Sequence, residues 1–144
     1  MNIRYQKLHP AALAPQRMSS GAAGYDLFAC VEEELCIAPG ERMAVPTGIA
    51  VSIPASYEAQ IRPRSGLALK LGLGVLNSPG TIDSDYRGEI RVILINLGKE
   101  AIAITKQMRI AQMVISRVES PVFQSCENLD ETERADGGFG SSGH

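Results

Sequence analysis

The chain has 144 residues and a formal net charge of −2 at pH 7, with 14 Lys and Arg against 16 Asp and Glu. A length of this order fits one domain near the modal size, and no second domain is expected. The near balance of charge excludes a general attraction to nucleic acid backbones or anionic membranes, so any anionic ligand has to be held by local groups.

The three cysteines have neither the C-x-x-C spacing nor the partner histidines of a zinc site. We expect Cys30, Cys36 and Cys126 to be small buried residues in a reducing compartment. The first residues lack the apolar core of a signal peptide, and no apolar run approaches membrane-spanning length. These features predict a cytoplasmic protein with no membrane anchor.

Short β-prone segments separated by turn residues run along most of the chain. The 14 glycines and 8 prolines fall between these segments and not in one block, which is typical of a β-sandwich, jelly roll or barrel. The predicted strands, in chain order, are residues 3–8, 23–30, 33–37, 42–45, 47–53, 57–62, 90–96, 101–105 and 110–118.

The middle of the chain interrupts this pattern twice. Helix formers cluster at residues 66–71 and predict one short helix, which Ser65 is available to cap. A break at residues 72–74 then leads to residues 77–91, predicted to form a hairpin bounded by Pro79-Gly80 and Gly88. This hairpin carries an amide, three carboxylates, a phenol and two guanidinium groups, and on its own it is equally consistent with a site and with a solvated turn.

Three other polar positions have two interpretations each. Asp26 stands among apolar neighbours and is expected to face outward from an edge strand or to meet backbone donors or a cation. Residues 64–66 form an anion site at the helix start or a simple N-cap. Gln112 is a satisfied core amide or a donor to a ligand. Neither His9 nor His144 is expected to take part in chemistry.

Beyond residue 119 the apolar periodicity is lost, and by composition alone the end of the chain is a flexible tail. Its glycines, hydroxyls and Arg134 are also the parts of a polyphosphate-binding loop, because glycine lets successive N–H groups point into one concavity. The order G-x-x-x-x-G-K-[ST] of a Walker loop is missing. Phe139 favours a ligand, since an exposed aromatic ring in a glycine run can stack on a base.

Five segments occur along the chain in a recognisable order. They are Ala-Gly-Tyr-Asp-Leu at 23–27, Pro-Arg-Ser-Gly-Leu-Ala at 63–68, Gly-Thr-Ile-Asp-Ser-Asp-Tyr-Arg-Gly-Glu at 80–89, Arg-Ile-Ala-Gln at 109–112 and Gly-Gly-Phe-Gly-Ser-Ser-Gly at 137–143. Together they resemble the five motifs of the trimeric deoxyuridine triphosphatases (dUTPases), in family order and over nearly the whole chain. Five motifs with compatible spacing are far more specific than any one of them.

The resemblance implies an all-β fold, a distorted jelly-roll β-barrel with one short helix. Residues 1–133 would form the catalytic domain, and residues 134–144 a glycine-rich C-terminal arm that completes an active site. A homotrimer with active sites shared between subunits is expected, with dUTP as substrate, Mg²⁺ as cofactor and no nucleic acid or membrane partner. The products would be pyrophosphate and dUMP, the latter for thymidylate synthesis.

The resemblance also implies a role for individual residues. Asp83 looks like the base that deprotonates the water attacking the α-phosphorus, Tyr86 like the residue under the deoxyribose, and Asp26 like the acid that holds magnesium through coordinated water. The expected uracil readers are Asn77 and the main chain of Gly80, Thr81 and Ile82, with Arg91 nearby. The expected phosphate contacts are Arg64, Ser65, Gly66, Gln112 and Arg134, joined by the arm residues Phe139 (stacked on uracil), Gly140, Ser141 and Ser142.

Two positions depart from the family pattern, and two other functions compete. Ala135 stands where many members have glycine, and Gln107-Met108 precede Arg109 where a glycine-containing turn is usual. Deoxycytidine triphosphate deaminase is similar in fold and substrate but needs an acid/base glutamate, whereas Asp83 and Phe139 favour the phosphatase. A non-enzymatic jelly-roll module would use the hairpin and tail as interaction loops.

Overall fold

The computed structural model describes residues 1–138, which form eleven β-strands and one α-helix. The elements are β1 (Arg4–Lys7), β2 (Tyr25–Phe28), β3 (Leu35–Ile37), β4 (Arg42–Pro46), β5 (Ile49–Ser52), β6 (Tyr57–Arg62), α1 (Ser65–Leu71), β7 (Leu73–Val75), β8 (Gly80–Ile82), β9 (Arg91–Asn96), β10 (Ile102–Ile104) and β11 (Arg109–Arg117). The prediction of an all-β fold with one short helix is confirmed.

All of the strand pairs are antiparallel and they form four sheets. One sheet has the order β2-β11-β6-β8, another has the order β4-β9-β7, and β1-β5 and β3-β10 are separate pairs. Their inner faces meet in one apolar core, in which Val45, Leu94 and Ile104 are completely buried. Removing this apolar surface from water is the main force that holds the sheets together.

Two local predictions in the middle of the chain were wrong. Residues 77–91 do not form a hairpin, because β8 pairs with β6 while β9 pairs with β4 and β7. The connection 83–90 therefore crosses from one sheet to another. The break expected at residues 72–74 is also wrong, because residues 73–75 form β7, in which Leu73 and Val75 are buried on either side of Gly74.

The helix begins at Ser65, with Arg64 as the N-cap residue, and no side-chain hydrogen bond closes that end. The expected cap by Ser65 is therefore wrong. Gly72 ends the helix with φ of 71° and donates its N–H to the carbonyl of Ala68 over 3.0 Å. This is the left-handed conformation that glycine adopts without a steric penalty.

The cysteines are less buried than expected. Cys36 and Cys126 are exposed, and Cys30 is half-buried. Desolvation raises the pKa of the Cys30 thiol, with a smaller contribution from Glu89 in the same direction. Within residues 1–138, no helix is long and apolar enough to cross a membrane.

Candidate active site

A cavity of about 260 Å³ opens where β8 ends and the chain crosses to β9. Gly80 lies in the β8 part of its wall, opposite Ile61 of β6. A Cβ atom on Gly80 would come within 3.3 Å of both Asn77 Nδ2 and Ile61 Cβ, so glycine is what lets the Asn77 amide lie close to the strand. The cavity collects seven of the residues predicted from the sequence: Asn77, Gly80, Thr81, Ile82, Asp83, Tyr86 and Arg91.

Asp83 is the exposed carboxylate of this cavity. It follows β8 directly, and its carbonyl oxygen accepts the Tyr86 N–H over 3.2 Å, which turns the chain back toward the cavity. None of the ion pairs among residues 1–138 includes Asp83. A carboxylate in this position keeps its lone pairs available for water or a ligand.

The opposite part of the wall is fixed by hydrogen bonds to main-chain groups. Tyr86 Oη donates to the carbonyl of Glu89 over 3.0 Å. Arg91 Nη2 donates to the carbonyl of Ala44 over 3.1 Å, so β9 and β4 together orient the guanidinium. These bonds fix the Tyr86 phenol and the Arg91 guanidinium in the cavity wall. They leave the other N–H donors of Arg91 available to a ligand.

Glu89 also lines the cavity and was not predicted as a site residue. Its Oε1 accepts the N–H of Gly48 over 2.8 Å, which ties the crossing segment to the turn between β4 and β5. Gly48 has φ of 68°, and a Cβ there would lie 2.7 Å from Cys30 Sγ, so the donor is held in place by its surroundings. The sequence could have indicated Glu89 as a site residue, since it is a charged residue between a glycine and a buried strand.

A second polar cluster surrounds Asp26 on β2. Asp26 is only 1% exposed, so the prediction that it faces outward is wrong and the alternative of a cationic partner is right. Arg109 Nη1 lies 3.1 Å from its Oδ2, Gln112 Nε2 donates to its Oδ1 over 3.0 Å, and Arg64 Nε lies 3.5 Å from Oδ1. A buried carboxylate requires such compensation, because desolvation penalises an unpaired charge.

A β-bulge brings Arg109 and Gln112 to the same side of β11. Residues three apart on a regular strand point to opposite faces. Here Arg109 pairs with Phe28 and Gln112 pairs with Asp26, and the register shifts between Arg109 and Ala111. The extra residue of the bulge places Arg109 and Gln112 on the same face of β11, so both side chains reach the Asp26 carboxylate. Arg109 was not predicted as a site residue, since the predicted strand begins only at residue 110 and a regular strand would place residues 109 and 112 on opposite faces.

Arg64 connects this cluster to the helix. Besides its contact with Asp26, it donates from Nη1 to the carbonyl of Arg109 over 3.2 Å. Ser65 and Gly66 follow in the exposed first turn of α1, where main-chain N–H groups have no intrahelical acceptor. Gly24 leaves room for Gln112 on the other side, since a Cβ there would lie 3.3 Å from Gln112 Oε1.

The cavity and the Asp26 cluster lie at opposite edges of one sheet. β8 and β2 are the outer strands in the order β2-β11-β6-β8, three interstrand spacings apart, which is about 14 Å. Among residues 1–138, none of Asp26, Arg64, Arg109 and Gln112 lines the cavity. One chain therefore presents the two predicted halves of the site separately.

The arm is described only in part. Arg134 is exposed and donates from Nε to the carbonyl of Gly137 over 2.7 Å, and Ala135 has φ of 45°. The predicted ligand-binding residues Phe139, Gly140, Ser141 and Ser142 lie outside the described residues. Nowhere in the described part of the chain do three or more His, Cys, Asp or Glu side chains form a group able to hold a metal ion.

Comparison with known proteins gives one consistent family. The sequence profile of the dUTPase family matches residues 11–143. The deoxyuridine 5'-triphosphate nucleotidohydrolase of Thermoanaerobacter sp. (strain X514) is 58% identical over 129 residues, 90% of this chain and 87% of that protein. The protein of the same name from Wolinella succinogenes is 57% identical over 143 residues, 99% of this chain and 95% of that protein.

The fold agrees with this result. The structure of the Staphylococcus bacteriophage 80alpha dUTPase with dUPNHPP superposes with a TM-score of 0.86 at 29% identity and covers 99% of each chain. The fold is thus matched although only 29% of the aligned residues are identical. On the family profile and the close relatives together, the chain belongs to the dUTPase family.

Proposed function

We propose that the protein hydrolyses dUTP to dUMP and pyrophosphate. The observation that carries this proposal is the cavity in which the exposed Asp83 carboxylate meets Asn77, the β8 main chain and Tyr86. Its residues supply a general base, polar groups that can bind the edge of a nucleobase, and an aromatic wall within one concave site. Family membership supports the same activity, since the related proteins bear the name of this enzyme.

The nucleobase is recognised by the unpaired edge of β8. An outer strand has main-chain N–H and C=O groups that no neighbouring strand uses, and they can pair with the polar edge of a planar ring. Gly80, Thr81 and Ile82 form this strand, and the Asn77 amide beside it adds one donor and one acceptor. Arg91 lies nearby in the same wall. We assign uracil recognition to these groups.

The chemical step uses a water molecule bound by Asp83. The water oxygen attacks the α-phosphorus, its proton passes to the Asp83 carboxylate, and the P–O bond to the β-phosphoryl group breaks to release pyrophosphate. A positioned general base contributes about 10²- to 10⁴-fold to such a rate. Asp83 suits this role because no described cation competes for its carboxylate. The remaining acceleration has to come from alignment and charge neutralisation.

The triphosphate is assigned to a second set of groups. Arg64, Ser65, Gly66 and Gln112 belong to it, with Arg134 directed at the outer phosphates. Arginine binds phosphate oxygens in pairs, and exposed N–H groups at a helix start favour an anion. The arm would then close over the nucleotide, with Phe139 on uracil and Gly140, Ser141 and Ser142 at the γ-phosphate. Closure of this kind also excludes bulk water.

Magnesium is assigned to Asp26, through coordinated water. The donor chemistry fits this role, because a carboxylate has about four acceptor positions and three polar groups approach it here. The Arg109 side chain beside Asp26 is 43% exposed, so solvent reaches this side of the cluster. Most of the direct ligands would come from the triphosphate, as expected of an ion that keeps its waters and few protein ligands. Such an ion neutralises phosphate charge.

A homotrimer with shared sites explains why the two halves lie at opposite edges of one sheet. Exposed apolar surface supports assembly: Phe123 is 95% exposed and Val122 and Leu129 are each 83% exposed beyond the last strand. A concavity of about 540 Å³ supports it as well, with apolar walls from β1, β2, β5 and β11. Its apolar lining includes Ile3, Tyr5, Tyr25, Val51, Met113 and Ile115.

The remaining assignments concern organisation and cellular role. Residues 1–133 would be the catalytic domain and residues 134–144 the arm, which agrees with the absence of any strand between Arg117 and residue 138. The reaction would remove dUTP and supply dUMP for thymidylate synthesis. A cytoplasmic location suits three free cysteines.

The activity is tested with a panel of nucleotides. Pyrophosphate release is measured from dUTP, dTTP, dCTP and UTP, with and without Mg²⁺. The proposal expects rapid release from dUTP in the presence of Mg²⁺ and little from the other three. Conversion of dCTP to dUTP would point to the deaminase instead, and intact dUTP would support a non-enzymatic module.

A further inference from the structure

Gly88 lies directly beneath the Tyr86 ring in the segment that crosses from β8 to β9. A Cβ atom built on Gly88 would lie 2.6 Å from Cζ and 3.0 Å from Cε2 of Tyr86, and closer still to Oη. Cβ atoms do not approach other heavy atoms to such distances in folded proteins, so a side chain at this position and the present ring position exclude each other.

The glycine is not required by its own backbone. The described glycines with positive φ are Gly40, Gly48 and Gly72, and Gly88 is not among them. Alanine at this position therefore meets no penalty for a positive φ. What Gly88 provides is space, and beyond its chain neighbours the three described atoms nearest to the missing side chain all belong to Tyr86.

Two contacts consequently define the Tyr86 ring. Its Oη donates to the carbonyl of Glu89 over 3.0 Å, and its edge occupies the space that a side chain at Gly88 would fill. Tyr86 is 44% exposed and lines the cavity beside Asp83, so the ring forms part of the cavity wall and not of the core. A shift of the ring by the width of a methyl group would change the shape of the cavity wall without disturbing the core.

We propose that Gly88 is a specificity-determining residue that acts through Tyr86. Because Gly88 has no side chain, the Tyr86 ring lies close to the main chain. The position of the ring fixes the part of the cavity wall that meets the sugar, and so determines how much room there is for a 2′-substituent. The ligand class concerned is a nucleoside triphosphate, with deoxyribose accepted and ribose rejected. This inference rests on the proposed function, in which Tyr86 packs under the deoxyribose.

The test measures kcat/KM for dUTP and UTP with four proteins: the wild type, Gly88→Ala, Tyr86→Ala, and the double variant. Gly21→Ala is the matched control, since a Cβ there meets nothing within 4 Å and its φ is not in the left-handed region. We expect Gly88→Ala to reduce the preference for dUTP over UTP by about 10-fold or more. In the Tyr86→Ala background the same change should alter the preference less than about 2-fold, because coupled residues are not additive.

A crystal structure of Gly88→Ala gives a readout independent of activity. The inference expects the Tyr86 Cζ atom to move by about 1 Å or more, which follows from the overlap with the new Cβ. An unmoved ring, or an unchanged nucleotide preference in Gly88→Ala, would overturn the inference and leave the proposed function standing. Failure of the wild type to hydrolyse dUTP would instead refute the proposed function.

Folding provides a further check. If Gly88→Ala did not fold, the double variant with Tyr86→Ala should fold, because the overlapping ring is gone. A double variant that also failed to fold would mean that Gly88 serves the fold and not the ring, which contradicts the inference.

Discussion

Gln112 and Asp26 face each other directly across β11 and β2, with 3.0 Å between Gln112 Nε2 and Asp26 Oδ1. The carboxylate is buried at the edge of its sheet and takes its other contacts from two arginines. Asp26 thus organises three polar side chains before any ligand binds. It also differs sharply from Asp83, which is exposed and has no cationic partner within the described residues.

Asp26→Asn should lower the free energy of unfolding by about 1–3 kcal/mol. The substitution keeps an acceptor for Gln112 but removes the charge that faces Arg64 and Arg109, whose partial exposure limits the loss. Denaturant unfolding followed by circular dichroism measures it. Arg117→Gln is the control, since it breaks a 3.9 Å pair with Glu119 between exposed side chains and should change stability by about 0.5 kcal/mol or less. Equal effects of the two substitutions would contradict this account.

Gln107→Gly should stabilise the protein by about 0.5–1 kcal/mol. Gln107 has φ of 59° in the turn before β11, a conformation that penalises a Cβ and that glycine adopts freely. This is also the turn where family members usually have glycine. Gln107→Ala keeps the Cβ and should bring no gain, so thermal unfolding of the pair separates backbone strain from loss of the side chain. A gain of equal size in both variants would argue against strain.

The sequence predicted the elements whose signal is local. β6 has the predicted bounds of residues 57–62, and each other predicted strand overlaps an observed one. The prediction that polar residues near the turns lie together was also correct, because Asn77, Asp83 and Tyr86 belong to one short stretch and all line the cavity. Proximity along the chain is enough to predict a cluster of this kind.

What the sequence did not predict depends on pairing between distant segments. The Asp26 cluster needs a β-bulge in β11 and a contact between residues 83 positions apart. The assignment of β8 and β9 to different sheets also follows from their partners and not from their own residues. The nearly unbroken apolar run at residues 90–96 is typical of a strand buried on both faces, yet from Val92 onward β9 alternates between buried and half-buried side chains, since only one of its faces meets the core.

Removal of residues 134–144 should sharply reduce turnover of dUTP and leave the assembly intact. The regular strands end at Arg117, so this truncation removes no strand of the described fold. Light scattering should give about three times the mass of one chain for both proteins, with 15.4 kDa for the full chain and a correspondingly lower mass for the truncated chain. A truncated protein with full activity would mean that the arm is not part of the site, and a monomeric full chain would refute the shared sites.

The central claim is that Asp83 activates the attacking water, and a matched pair of substitutions tests it most directly. Asp83 lines the cavity, whereas Asp85 is an exposed carboxylate two residues along the same segment and does not line it. Single-turnover hydrolysis of dUTP should slow by about 10²- to 10⁴-fold in Asp83→Asn, with nucleotide binding retained, and stay near the wild-type rate in Asp85→Asn. Turnover by Asp83→Asn at the wild-type rate, or an equal loss in both variants, would contradict the claim.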